Sequence, residues 1–315
     1  MNNSYIKPAL KALSHVDIKK NYKVIRKVRR FARKPKIKLY QTWDYGIKCK
    51  NRRIPVRFFS PSAKYISAET INDYPVIMFF HGGGWVTGDL DTYEKTCLTI
   101  ARQTGHIVIA VQYRLAPEHP FPAGLCDCYE AVKFISLICK KKDPDKKITL
   151  MGDSAGGNLA ASLCLYIRDH YGNVEDIIDR QILIYPAVYN NHTETSPFNS
   201  VKDFGMDYIL TAQHICDYMD MYCPQGKSPL RTRNSPYLAP LLAEDLSGLP
   251  ATLIITAEFD PLRDEAEEYG RRLSEAGNAV VVHRIKDALH GYFVLSILFD
   301  MVKETYDIIN NFIKG

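Results

Sequence analysis

Gly152-Asp153-Ser154-Ala155-Gly156 sets a serine between glycines. The apolar run Ile148–Met151 precedes it, and a helical pattern begins near Gly157. A serine on a tight strand-to-helix turn exposes its hydroxyl, and the helix N-terminus favours negative charge developing beside it. The chemistry such a serine could do is nucleophilic attack on a carbonyl. It then needs a base, a group that orients the base, and donors for the oxyanion. His81-Gly82-Gly83-Gly84-Trp85 follows the apolar run Pro75–Phe80. Its bare glycine amides are suited to be donors, with the Ala155 amide beside them. Glu258-Phe259-Asp260-Pro261 follows Thr252–Ala257, and Asp260 is the expected orienting acid, with Glu258 as fallback. Asp260 could also cap the helix that Pro261 would open, and Asp264 and Glu265 suit that helix's first turn. His290-Gly291-Tyr292 follows the last apolar run, Val280–Ile285, and His290 is the expected base. His283 falls inside that run and is expected to be structural. His15, His106, His119, His170, His192 and His214 have no matching position.

These residues must converge, and the elements around them suggest how. Short Ile- and Val-rich runs at Pro75–Phe80, Ile107–Tyr113, Ile148–Met151, Ile182–Tyr185, Thr252–Ala257 and Val280–Ile285 predict buried strands. Helical patterns near 92–103, 124–140, 157–170, 262–276 and 293–312 alternate with them. That alternation predicts an α/β fold with a mostly parallel sheet covered on both faces. Its loops at the strand C-terminal ends would share one cleft. Ile37–Trp43 and Ile54–Phe59 are expected to add two antiparallel edge strands. Residues 189–235 contain no strand signal and are too long for a simple connection. Thr211–Tyr222 within them is helical in pattern, with Ile215, Tyr218, Met219 and Tyr222 on one side. The Tyr- and Met-rich insertion is expected to face a ligand or to pack, with Phe204, Tyr208, Tyr218, Met219 and Met221 as bulky groups and Trp85 flanking the glycine loop.

Charge is unevenly distributed. Of the net +6, residues 1–40 hold 13 Lys or Arg against the single acid Asp17. Ile18, Tyr22, Ile25 and Val28 recur at helical spacing there, predicting an amphipathic helix packed on the body with a solvated basic face. This is favoured over a nucleic-acid or membrane contact. Cys126 and Cys128 form the closest pair among eight cysteines, and buried free thiols are expected rather than a metal site. No apolar run approaches the ~20 residues of a membrane span, and no signal-peptide pattern opens the chain, so a cytoplasmic location is expected. Arg114 and Glu118 are expected to form an ion-paired turn, ended by Pro117 and Pro120, that braces the glycine loop.

The motifs His81–Trp85, Tyr113–Glu118, Gly152–Gly157 and Asp260–Asp264 together resemble the hormone-sensitive-lipase-like esterases, the bacterial family IV branch of the α/β-hydrolase fold. The similarity runs from about residue 70 to 295. It implies an eight-stranded sheet with a helical cap, so that 41–188 and 236–315 form the catalytic core and 1–40 and 189–235 the cap. It implies that Ser154, Asp260 and His290 form a triad and that Gly83, Gly84 and Ala155 form the oxyanion hole. Asp153 matches the GDSAG subgroup, and His290-Gly291-Tyr292 replaces the usual HGF. The expected activity is hydrolysis of short- to medium-chain carboxylic esters through an acyl-enzyme. The partner is a small-molecule ester, with no metal or organic cofactor and no nucleic acid; a homodimer is left open. A lactonase, amidase or deacetylase on the same triad, or a non-catalytic ligand-binding protein of the same fold, are the alternatives.

Overall fold

In a computed structural model the chain is described at residues 14–32, 42–49, 52–62, 71–172, 174–224 and 232–315. Eight strands form one sheet in the order β1-β2-β4-β3-β5-β6-β7-β8. They are β1 Thr42–Cys49, β2 Arg52–Phe59, β3 Val76–Phe80, β4 Ile107–Val111, β5 Ile148–Asp153, β6 Ile178–Ile184, β7 Ala251–Phe259 and β8 Val280–Leu289. The pairs β1/β2 and β2/β4 are antiparallel, and all others are parallel. β3 and β4 are buried along their whole length, as strands covered on both faces must be. Alternate residues feed opposite layers. Val76, Met78 and Phe80 face one core and Ile77 and Phe79 the other. The helices α3 Ala123–Lys140, α4 Ala155–Tyr171 and α7 Arg263–Glu275 supply the first layer; α2 Glu94–Thr104 and α8 Asp300–Lys314 supply the second.

Most strand boundaries shift by one or two residues, and three differ more. β1 runs from Thr42 rather than ending at Trp43, because its register is set by β2: Ile47 lies opposite Ile54, and Trp43 stacks on Phe58 at 5.0 Å. Residues 37–41 of the expected strand lie outside the described residues. β6 begins four residues early, at Ile178, where Asp179-Arg180-Gln181 hides it from a hydrophobicity reading. Two of those residues find cross-strand partners: Thr149 Oγ1 donates to Asp179 at 3.0 Å, and Gln181 Nε2 donates to Thr252 Oγ1 at 2.9 Å. β8 continues past Ile285 to Leu289 through a register shift opposite Ala257–Phe259. The last helix starts at Asp300 rather than 293, after a short 3-10 turn at Tyr292–Val294.

The N-terminal helix α1 (Ile18–Ala32) lies beside α6 (Ala212–Tyr222) of the insertion, which also holds the short α5 (Asn199–Phe204). Ile18 is buried and Tyr22 and Ile25 half-buried, but Val28 is 59% exposed, so the apolar stripe ends a turn early. The basic face is not simply solvated either. Lys19 pairs with Asp217 and Asp220, and Arg30 with Asp89 at 2.8 Å. Arg26 donates to the carbonyls of Val86 (2.6 Å) and Ala116 (2.7 Å) and to both Glu118 oxygens. Glu118 therefore belongs to α1, while Arg114 pairs with buried Asp127. The expected turn does brace the glycine loop, through Ala116 N–H to Trp85 O at 2.9 Å, but its two charges do not pair with each other.

The thiols are also mixed. Five cysteines are buried, Cys49 and Cys216 are partly so, and Cys126 is exposed. Among the described residues no cluster of three metal-ligating side chains occurs, and no helix is long and apolar enough to cross a membrane.

Candidate active site

The serine turn follows from two close approaches. A Cβ on Gly156 would come within 1.9 Å of the Phe80 carbonyl oxygen, and one on Gly152 within 2.3 Å of Gly156. Only glycine lets α4 start this close to β3 and β5. Ser154 is thereby held at φ 54°, ψ −119°, a strained conformation for a non-glycine residue. Its amide donates to Ile184 O at 2.8 Å, which fixes the turn to the end of β6.

The other two members arrive through sheet register. Phe259 and Leu289 are paired across β7 and β8 just beyond the bulge, and the next residue on each strand is Asp260 and His290. Asp287, at φ 57°, donates its amide to Glu258 Oε2 at 2.7 Å and holds the bulge, so the fallback acid Glu258 is engaged elsewhere. His290 Nδ1 lies 2.7 Å from Asp260 Oδ2, and Nε2 lies 3.0 Å from Ser154 Oγ. Asp260 is fully buried, and its Oδ1 accepts from Leu262 N–H at 2.9 Å. The carboxylate thus both faces the imidazole and closes a turn before α7. Tyr185 packs its ring 4.6 Å from that of His290. His283 is on β8 near Glu304.

The glycine loop adopts the backbone its sequence allows. Gly83 and Gly84 have φ of 119° and 61°. The Gly83 carbonyl is taken by Val86 N, Thr87 N and Thr87 Oγ1. Among the described residues neither the Gly83 nor the Gly84 amide meets an acceptor. Ala155 opens α4, where an amide has no partner within its helix. All three residues line the same cavity as Ser154 and His290. Donors facing an empty space beside a hydroxyl are suited to stabilising an oxyanion.

Asp153 and His81 underpin this loop from below. Asp153 accepts from Gly82 N–H (2.8 Å) and Tyr93 O–H (2.9 Å). Burial nevertheless pushes its carboxyl up from 3.8 to about 6. Burial pushes the His81 imidazole down from 6.5 to about 4. The folded Asp153 binds its proton more tightly than the unfolded one, so its contribution to stability declines as pH rises from about 4 through about 6. The folded His81 binds its proton more weakly, so its contribution is present above about 6.5 and is lost as pH falls toward about 4. Each shift corresponds to about 3 kcal/mol, and the two nearly cancel. In Asp153→Asn the Asp153 contribution is gone and that of His81 is left unopposed. Relative to the parent, that variant is expected to gain about 3 kcal/mol between pH 4 and pH 7, measured by denaturant unfolding at each pH.

The cavity has a volume of about 280 Å³. Trp85 and Tyr218 line it as expected. Trp85 is chiefly held in place, stacked on Tyr222 at 4.5 Å and donating Nε1–H to Asn158 Oδ1 at 3.3 Å. Tyr218 lies against the glycine loop, where a Cβ on Gly84 would meet its ring at 2.3 Å. Phe204, Tyr208 and Met219 do not line it. Phe204 and Tyr208 pack on Phe259 at the end of β7, with the Arg263 guanidinium over Phe204. Met219 and Met221 point into the core, because the buried face of α6 turns toward the body. Ile209, Leu210, His214 and Ile215 take their place, joined by Val16, Ile18, Ile25 and Arg29 from the N-terminal segment.

Several contributors escaped the sequence. Asn158 ties Trp85 to the carbonyls of Ala187 and Leu238, and its place one helical turn after Ser154 is the signal that could have found it. Glu265, expected as a dipole-complementing acid, is fully buried. It accepts from Val188 N, Tyr189 N and His192, fastening the start of the insertion to α7. Tyr93 carries no pattern that marks it.

Known proteins resemble this chain in sequence and in fold. Residues 77–294 match a family model described as the α/β-hydrolase fold. The chain is 32% identical over 264 residues to an arylesterase of Saccharolobus solfataricus, covering 82% of this chain and 79% of that one. It is 34% identical over 252 residues to the carboxylesterase NlhH of Mycobacterium tuberculosis, covering 80% and 75%. The solved structure of a hyperthermophilic esterase from Pyrobaculum calidifontis superposes with a TM-score of 0.80 at 32% identity, covering 98% of this chain and 96% of that one.

Proposed function

The chain belongs to the α/β-hydrolase family, in its hormone-sensitive-lipase-like carboxylesterase branch, and from that premise we propose a serine carboxylesterase of the GDSAG subgroup acting on short- to medium-chain esters. The observation that carries the mechanism is the unbroken hydrogen-bond sequence Ser154–His290–Asp260, at 3.0 and 2.7 Å. Ser154 Oγ attacks the ester carbonyl while His290 Nε2 takes its proton. The Gly83, Gly84 and Ala155 amides bind the oxyanion, and each such donor contributes about 3 kcal/mol to the transition state. Asp260 holds the Nδ1–H tautomer and stabilises the imidazolium. His290 returns the proton to the leaving alcohol, and a water repeats the cycle on the acyl-enzyme.

The substrate range follows from the walls. Among the described residues, α1 together with α5 and α6 of the insertion acts as the cap on the sheet core. A cavity of about 280 Å³ lies at the small end for small-molecule sites. Bulky Ile and Tyr side chains from the cap narrow the space over Ser154. A panel of 4-nitrophenyl esters from acetate to palmitate tests this. The highest kcat/KM is expected between butyrate and octanoate, with at least a tenfold fall by palmitate. Equal or faster turnover of long-chain emulsified esters would contradict it.

A further inference from the structure

Resting on the esterase reading of this cavity, we infer that Arg29 selects esters whose acyl or alcohol part carries a carboxylate. Arg29 is the one arginine or lysine among the described residues lining the cavity. The cavity's non-catalytic imidazole, His214, is pushed down by burial, so it is neutral at neutral pH.

Four basic neighbours of Arg29 on α1 find carboxylates, whereas Arg29, like Lys23 and Lys27, pairs with none among the described residues. Lys19 meets Asp217 and Asp220, Lys20 meets Asp17, Arg26 meets Glu118, and Arg30 meets Asp89. Arg29 donates Nη1–H to the neutral Thr87 Oγ1 at 3.1 Å, and no carboxylate reaches it among the described residues. Among the described residues the one acid lining the cavity, Asp153, is held by hydrogen bonds from Gly82 and Tyr93 and meets Arg29 only through space. A guanidinium has five donors in a planar fork, so several stay free beside an otherwise apolar space. Thr87 Oγ1 in turn donates to the Gly83 carbonyl at 2.9 Å. The hydroxyl thus sets the guanidinium beside the glycine loop. A substrate seated with its carbonyl at Ser154 would extend a tail through this space. A carboxylate at the tail's end would complete the fork with charge-assisted hydrogen bonds.

The test pairs anionic with neutral esters of equal carbon count. The acyl arm uses monoethyl glutarate, adipate and suberate against ethyl pentanoate, hexanoate and octanoate. The alcohol arm uses 4-acetoxybenzoate against 4-methylphenyl acetate. In at least one arm the anionic member is expected to have about tenfold higher kcat/KM or more. Arg29→Gln keeps a donor for Thr87 and is expected to erase that ratio. The preference should also shrink in 0.5 M NaCl, because Arg29 is solvent-exposed. Neutral esters cleaved as well as anionic ones at every length and in both arms would overturn the inference. So would equal loss on both members in Arg29→Gln, which would mark a positioning role through Thr87 and Gly83. Calorimetric binding of the same pairs to Ser154→Ala separates the two levels. Turnover of no ester by the parent protein counts against the esterase reading. Failure of the anionic member to bind more tightly counts against the inference, whatever the turnover.

Discussion

Replacing Ser154 by alanine is expected to lower kcat for 4-nitrophenyl butyrate by about 10⁶-fold while the protein stays folded. The size of the loss follows from what the hydroxyl does. Without Oγ there is no acyl-enzyme, and His290 has nothing to deprotonate but water. The oxyanion amides and the cavity persist, so turnover should remain about 10³-fold or more above the uncatalysed rate. Stability should change little, because Ser154 contributes no side-chain cap to α4 and alanine keeps the same Cβ at φ 54°. Circular dichroism and the unfolding midpoint check the fold, and a burst-free progress curve checks the chemistry. Retention of even a tenth of the parent rate would remove Ser154 from the mechanism.

Asp260→Asn is the second large effect, expected at about 10⁴-fold in kcat. Asp260 Oδ2 accepts from His290 Nδ1–H, and this puts the lone pair of Nε2 toward Ser154. An asparagine amide can donate to Nδ1 instead. The ring would then carry its proton on Nε2, facing the serine hydroxyl with a donor where a base is needed. The substitution is nearly isosteric, and an asparagine Oδ1 can still accept from Leu262 N–H, so the turn into α7 should survive. Asp260→Ala would remove that turn as well and would confound the result. KM close to the parent value with kcat depressed locates the loss in the transition state. A kcat within tenfold of the parent would show that another group orients His290.

Much of this site is legible in the sequence because each member sits where an apolar run ends. Runs such as Thr252–Ala257 announce strands, and strands in parallel array deliver their following loops to one edge. What escaped was set by tertiary contact. The β6 start is hidden because Asp179, Arg180 and Gln181 look exposed until cross-strand partners are known. The direction of α1 could not be read from spacing alone. Val28 and Ile18 share a helical stripe, yet only Ile18 is covered. Glycine loop and serine turn are local motifs, whereas Arg26, Arg29 and Asn158 act across 58 to 80 positions. Residues of the insertion line the cavity, but which of its faces looks inward depends on packing. The aromatic pair Phe204 and Tyr208 preferred Phe259 to the cavity.

The bulge between β7 and β8 has a thermal meaning. Among the described residues β8 is the last strand of the sheet, with a partner on one side only. Edge elements open locally at a lower free-energy cost than the whole molecule. The alignment of Asp260 with His290 is carried by the Phe259–Leu289 register, so fraying of this one strand end would separate acid from base while β3 to β6 remain intact. Heat would then silence the protein before melting it. The working ceiling would be set by the grip of a single sheet margin, and tightening that margin would extend activity upward without a single change in the pocket.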